Sequence, residues 1–193
     1  MTSVLGVAGS PRRGGNTETL LDEVLRGAAE AGSKTEKVVL AERDIKPCKA
    51  CNACARTKVC TQKDDMASII EKMREAEVWV LATPVYWWGP TAQMKAFIDR
   101  WYSVPRDIFR GKRVILAASL GSNSVYADLM IKTFEEIMSY LGMEEFKVLI
   151  STNANAKTTA RNDENLMKDA YAAGFDAVKT LRTWTRSSGQ ASK

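Results

Sequence analysis

The chain has 193 residues, 45% hydrophobic and 26% charged, with 28 lysines and arginines against 23 acidic residues and a formal net charge of +5. These proportions suit one globular domain, long enough to bury a core without disulfide staples. There is no histidine, which excludes Ser-His-Asp and Cys-His catalysis and any His-ligated zinc, and favours a cofactor that brings its own chemistry.

No apolar run approaches the roughly 20 residues needed to cross a bilayer. The N-terminus lacks the basic and apolar regions of a signal peptide, and Arg12-Arg13 is followed by polar residues, so a cytoplasmic protein away from the membrane is expected. Basic residues are scattered among acidic ones, with no Lys/Arg block interleaved with aromatics. No nucleic-acid partner is expected.

In chain order, Val4 to Ala8 reads as a buried strand ending at Gly9. Leu20, Leu21, Val24, Leu25 and Ala28 recur at helical spacing up to a stop at Gly32. A second strand runs from Thr35 to Leu40, and residues 41–65 form a long polar, cysteine-bearing connection. Met66, Ile69, Ile70 and Met73 mark a helix with Asp64 or Asp65 as its N-cap. Val78 to Thr83 is a third strand, and Thr91 to Trp101 a helix. Arg113 to Ser119 is a fourth strand, followed by a helix with Met130, Phe134, Ile137, Met138 and Leu141 on one face and Gly142 as its stop. Phe146 to Ile150 is a fifth strand, Ser151 to Asp163 a polar loop, and Leu166, Ala170, Ala173, Ala177 and Leu181 line a final helix. The Ser-rich tail, 186–193, is expected to be flexible.

Strands that are apolar throughout and alternate with amphipathic helices indicate a parallel sheet covered on both faces. The expected fold is α/β: a three-layer, doubly wound, five-stranded sheet of flavodoxin type with order 2-1-3-4-5. One domain is expected over 1–185, with 41–65 as a cysteine-rich insertion. Ligands of such sheets bind beyond the C-terminal strand ends, which directs attention to the loops after strands one, three and four.

The first loop, Gly9 to Thr17, joins a buried strand to a helix, where free N–H groups accept an anion. Gly14 and Gly15 allow close approach, Ser10 and Thr17 offer hydroxyls, Arg12 offers charge, and Asn16 either caps the helix or bonds the phosphate. It matches neither the dinucleotide fingerprint G-x-G-x-x-G nor the NTPase loop G-x-x-x-x-G-K-[ST]. After strand three comes Thr83-Pro84-Val85-Tyr86-Trp87-Trp88-Gly89-Pro90, whose consecutive aromatics cannot all enter one core. At least one is expected to face the crevice and meet a flat, polarizable ring. Ser119 and Gly121 supply a third wall. A phosphate loop and an aromatic loop in these positions match the two ends of FMN.

Gly9-Ser10-Pro11-Arg12, Gly15-Asn16-Thr17, Thr83-Pro84-Val85-Tyr86 and Lys95…Asp99-Arg100 together resemble the NAD(P)H-dependent FMN reductase and flavodoxin-like families. The implied FMN contacts are Ser10, Arg12, Gly15, Asn16 and Thr17 at the phosphate, and Pro84, Val85, Tyr86, Trp87, Gly89, Ser119 and Gly121 around the ring. Lys95, Asp99 and Arg100 are expected to form a structural ion pair, the alternative being contact with the cofactor across an interface. No side chain is assigned as a catalytic acid or base.

Cys48, Cys51, Cys54 and Cys60 are the chain's four cysteines, spaced C-x2-C-x2-C-x5-C within that single long connection. Burial by chance would have scattered them through the strands. Disulfides are disfavoured in a cytosolic setting. Zinc remains open, although it usually takes two C-x-x-C pairs with a longer spacer. Compact runs of this kind wrap [4Fe–4S] cubes in ferredoxins, though here the last spacer is x5 and no proline follows.

The whole pattern resembles the iron–sulfur flavoprotein family, with Ile45-Lys46-Pro47-Cys48 through Asp64-Asp65-Met66 in the matching place after strand two. That resemblance implies FMN, a [4Fe–4S] cluster held by the four cysteines, and a homodimer or homotetramer. It also implies electron transfer between flavin and cluster, with NAD(P)H or a ferredoxin as redox partner. The alternatives are a cluster-free NAD(P)H-dependent FMN or quinone reductase and a non-catalytic flavodoxin-like carrier, the latter at odds with the chain's basic charge.

Overall fold

The computed structural model describes residues 2–188, the side chains of 145, 146 and 180–188 excepted. Five strands, β1 (Ser3–Ala8), β2 (Lys34–Val39), β3 (Val78–Pro84), β4 (Arg113–Ser119) and β5 (Glu145–Ser151), form one sheet in the order β2-β1-β3-β4-β5. Every neighbouring pair is parallel. The helices are α1 (Asn16–Glu30), α2 (Ala53–Thr57), α3 (Met66–Glu75), α4 (Ala92–Asp99), α5 (Asp128–Leu141), α6 (Thr159–Asn162) and α7 (Glu164–Ser188). This is the expected doubly wound fold.

Alternation along the strands divides the core in two. Leu5, Val7, Trp79, Leu81, Val114, Leu116 and Ala118 face one layer with Met66, Ile69 and Met73 of α3, Met94 and Phe97 of α4, and Met130 and Phe134 of α5. Val4, Ala8, Val78, Val80, Ala82, Ile115 and Ala117 face the other with Leu20, Leu21 and Val24 of α1 and Ala170, Ala173 and Val178 of α7. Both faces are thus dry, which is why the strands read as unbroken apolar runs. Among the described residues no helix is long and apolar enough to cross a membrane.

Several local readings need correction. Strand two ends at Val39, so Leu40 begins a 3-10 turn, Leu40–Glu42, and the 41–65 connection also holds α2. The loop after β5 contains α6. The helix read over Thr91 to Trp101 is α4, capped by the Thr91 hydroxyl accepting the Met94 N–H, and it tightens into a 3-10 turn at Arg100–Ser103. Asp65 occupies the N-cap position of α3, but the Asp64 carboxylate accepts the Met66 N–H. Gly142 ends α5 at φ 74, as its sequence position suggested. The side chain of Leu181 and the tail from 189 onward lie outside what is described, whereas the backbone of α7 runs through Ser188.

Parallel register sets Ala8 beside Ala82 and Pro84 beside Ser119. The loops after β1, β3 and β4 therefore emerge side by side. The Gly9 N–H donates to the Ala82 carbonyl at 2.7 Å and the Gly9 carbonyl accepts the Thr91 hydroxyl at 2.6 Å, locking the first loop to the third.

Candidate functional site

Where those three loops meet lies a cavity of about 300 Å3. Ser10, Arg12, Gly15, Asn16, Thr17, Pro84, Val85, Tyr86, Ser119 and Gly121 line it, together with Leu120 and residues 154–157. The buried hydroxyls of Thr17 and Ser119 hydrogen-bond at 2.6 Å, tying the start of α1 to the end of β4. Ser10 Oγ accepts the Arg12 N–H at 3.1 Å, which rounds the loop, and Gly14 takes φ 61.

Asn16 does not cap α1. It is the first helical residue, Gly15 holds the N-cap position, and no side chain caps the helix. Its amide instead donates to the Ala154 and Ala156 carbonyls and accepts the Ala160 N–H at 2.9 Å, fastening the loop after β5. The first N–H groups of α1 have no acceptor within the helix and no side-chain cap, the ordinary setting for an anion. Arg12 and Lys157 line the same cavity, and among the described residues neither forms an ion pair.

Lys157 and Asn155 went unassigned from sequence because the loop after β5 carries no recognisable motif. Their signal was positional: it too leaves a C-terminal strand end. A Cβ on Gly121 would stand 2.7 Å from Asn155 Oδ1, so glycine is what permits these walls to touch.

Arg13, adjacent to Arg12, is committed elsewhere. Its guanidinium pairs with Glu18 at 2.8 Å and also with Glu42. Glu18, in the first turn of α1, reaches back to the Gly14 N–H at 2.6 Å and also accepts Lys37. Burial alone would raise the Glu18 carboxyl, but hydrogen bonds from Arg13, the Gly14 N–H and Lys37 outweigh it and hold the pKa at about 2. A carboxyl depressed from 4.5 stabilises the fold above that pH and loses its contribution as pH falls toward 2. Glu18→Gln should cost about 2 kcal/mol at neutral pH, discounting for the half-exposed Arg13. Its acid unfolding curve, followed by circular dichroism, should be flatter than wild type between those limits; parallel curves would count against the network.

The aromatic loop is a two-residue hairpin. Tyr86 N–H donates to the Gly89 carbonyl at 2.8 Å and Gly89 N–H to the Tyr86 carbonyl at 3.0 Å. Trp87 and Trp88 sit between them at φ 51 and 60, a conformation that costs a non-glycine residue of order 1–3 kcal/mol. Central residues of such a turn project outward, so Trp87 is 91% exposed and, with Gly89, does not line the cavity. Tyr86 does line it. Trp87, Trp88 and Tyr126 border a smaller hollow that shares Val85, Leu120 and Gly121 with it.

The four cysteines line a second cavity of about 380 Å3, whose lining also includes Arg100 and Tyr102. All four are free thiols, Cys48 and Cys51 exposed. Ala50 and Asn52 take positive φ on either side of Cys51, as does Lys58 before Cys60. The Ala53 N–H and the Thr61 hydroxyl lower the Cys51 thiol below its ordinary value. Among the described residues no three Cys, Asp or Glu side chains converge to hold a single metal ion.

Arg100 departs from the expected ion-pair group: Lys95 pairs with Asp99 at 2.7 Å on the surface, whereas Arg100 pairs with Asp64, both side chains almost wholly buried. Burial acts to raise the Asp64 carboxyl, but hydrogen bonds from Arg100 and from the Lys46 and Met66 N–H groups lower it overall.

Comparison with known proteins agrees with this architecture. An iron-sulfur flavoprotein of Methanocaldococcus jannaschii is 43% identical over 97 residues, half of each chain. One from Methanosarcina thermophila is 37% identical over 142 residues, 72% of this chain and 74% of that one. In fold, the NAD(P)H:quinone oxidoreductase of Methanothermobacter marburgensis superposes with a TM-score of 0.71 at 18% identity, covering 91% of this chain and 96% of that one. The family model described as NADPH-dependent FMN reductase matches residues 2–156. The chain belongs to that family of flavin-dependent oxidoreductases, and within it resembles the iron–sulfur flavoproteins.

Proposed function

We propose that the protein is a flavin-dependent oxidoreductase that holds FMN in the cavity beyond β1, β3 and β4 and a [4Fe–4S] cluster in the cysteine-lined cavity. The observation that carries the cluster reading is that all four cysteines line one cavity. In a [4Fe–4S] cube each thiolate holds a different iron, so its ligands surround a space and do not converge on one point. The backbone strain beside Cys51 supports a loop shaped for a ligand and not for its own stability.

At the other cavity, the uncapped start of α1, Ser10, Arg12 and Lys157 suit a phosphate; Tyr86, Val85 and Gly121 suit a flat ring. FMN supplies two-electron and one-electron transfer when bound. The chain's own residues bind and orient it, and without histidine none is assigned a proton-transfer role.

Residues 1–185 act as one FMN-binding domain with 41–65 as its cysteine-rich insertion, in a cytoplasmic homodimer or homotetramer. Exposed Trp87, Val125 and Leu129 support an assembly that covers them. The redox partner is NAD(P)H or an acidic one-electron protein such as a ferredoxin. Across 41–65, Arg43, Lys46, Lys49, Arg56, Lys58 and Lys63 stand against Glu42, Asp44, Asp65 and the buried Asp64, which leaves the loop's surface with a basic excess. Its reduction by an acidic protein donor should slow more than about tenfold from low to high salt, read by stopped-flow absorbance. A salt-independent rate would exclude docking at this loop.

A cluster-free NAD(P)H-dependent FMN or quinone reductase is favoured by one observation, the absence of a converging ligand group among the described residues. Anaerobic turnover separates the readings. Electron transfer from a one-electron donor to FMN that is lost on Cys54→Ala, with hydride reduction of FMN retained, supports the cluster. Equal rates in both proteins support the simpler reductase.

A further inference from the structure

Arg100 touches both ends of the cysteine loop. Its Nη1 donates to the Lys46 carbonyl at 2.9 Å and to Asp64 Oδ2, and its Nη2 donates to Asp64 Oδ1 at 3.1 Å. Asp64 in turn accepts the Lys46 N–H at 3.1 Å and the Met66 N–H at 3.2 Å. Residues just before Cys48 and just after Cys60 are thereby clamped to one guanidinium. Nη2 also donates to Cys60 Sγ at 3.3 Å, and the side chain lines the cysteine cavity. The side chains of Arg100 and Asp64 are 2% and 0% exposed, so solvent hardly screens them.

A buried ion pair is a weak source of stability, because desolvation offsets much of its attraction. Closing a loop requires only neutral hydrogen bonds. Yet here the cationic end of the pair is set against a thiol sulfur, and its buried Nε–H has no partner among the described residues. A cationic donor aimed at a cysteine sulfur in the wall of the cysteine cavity is more than loop closure needs.

Resting on the cluster reading above, we propose that Arg100 is a positioning residue of the iron–sulfur site. It clamps the loop and, through its N–H···S bond to Cys60, raises the site's reduction potential. Four thiolates bring negative charge into the cavity, and the single electron taken up on reduction adds one more. A cationic donor at 3.3 Å from one sulfur stabilises that more negative state preferentially. Lysine would keep the charge but lose the fork that reaches Lys46, Asp64 and Cys60 together.

The test is an anaerobic potentiometric titration with redox mediators, read by electron paramagnetic resonance, with iron and FMN assayed alongside. Wild type is compared with Arg100→Lys and with the paired neutral variant Arg100→Met/Asp64→Asn, which leaves no buried charge behind. The neutral pair is expected to lower the reduced-to-oxidised ratio at fixed potential about tenfold, a shift of about 59 mV for one electron. Arg100→Lys should lower it about threefold, and FMN content should stay at the wild-type level in both. An unchanged potential in whichever variant retains iron would overturn the proposal, since a purely structural clamp would not move it. Wild type without iron or sulfide would instead overturn the cluster reading and this inference with it.

Discussion

Gly174→Ala should destabilise the fold by about 2–3 kcal/mol, although alanine is the better helix former by about 1 kcal/mol. A Cβ on Gly174 would lie 1.9 Å from the Val24 carbonyl oxygen and 2.8 Å from its carbon. The contact is reciprocal: a Cβ on Gly27 would lie 2.1 Å from the Tyr171 carbonyl oxygen. α1 and α7 therefore meet backbone to backbone, and neither obstacle is the end of a flexible side chain. Accommodating one methyl requires the helices to separate, which opens the layer built from Leu20, Leu21, Val24, Ala170 and Ala173. Urea unfolding monitored by circular dichroism gives the sign. A lower midpoint at unchanged slope agrees with the contact; a higher one, as helix propensity alone demands, refutes it.

The second large effect is a double dissociation between the two cavities, which share no lining residue. Cys51→Ala should reduce bound iron to near zero while FMN stays at the wild-type level. Arg12→Ala with Lys157→Ala should do the reverse. Each lost charge-assisted contact is worth about 1.5–3 kcal/mol, so FMN affinity should fall at least tenfold with iron unchanged. Loss of both cofactors from Cys51→Ala would mean that the loop serves the whole fold. Apoprotein titration by flavin fluorescence, with iron assayed in parallel, distinguishes these outcomes.

The fold was legible because both faces of the sheet are covered. The apolar runs at Val4–Ala8, Val78–Thr83 and Arg113–Ser119 coincide with β1, β3 and β4 to within a residue or two. The short helices α2 and α6 were not legible, since neither presents enough turns for a periodicity to show. At the cavity beyond β1, β3 and β4, the lining residues on the β1 and β4 loops are legible by position relative to a strand end. Trp87, expected beside the ring, lies outside the cavity lining, because composition marks an aromatic loop but not which way a tight turn aims its central side chains. Lys157 was missed for want of a motif. Arg100 was read with Lys95 and Asp99 because all three are close in sequence. Its actual partner, Asp64, is 36 residues away and meets it only once the cysteine loop folds back on α4.

The most direct test of two redox sites in one chain is the composition of protein purified without oxygen. Iron, acid-labile sulfide and extractable flavin are assayed on one sample whose visible spectrum is recorded. About one FMN with about four irons and four sulfides per chain is expected. Flavin with neither iron nor sulfide would contradict the two-site reading and leave a simple FMN reductase; iron and sulfide without flavin would contradict the cavity assigned to FMN.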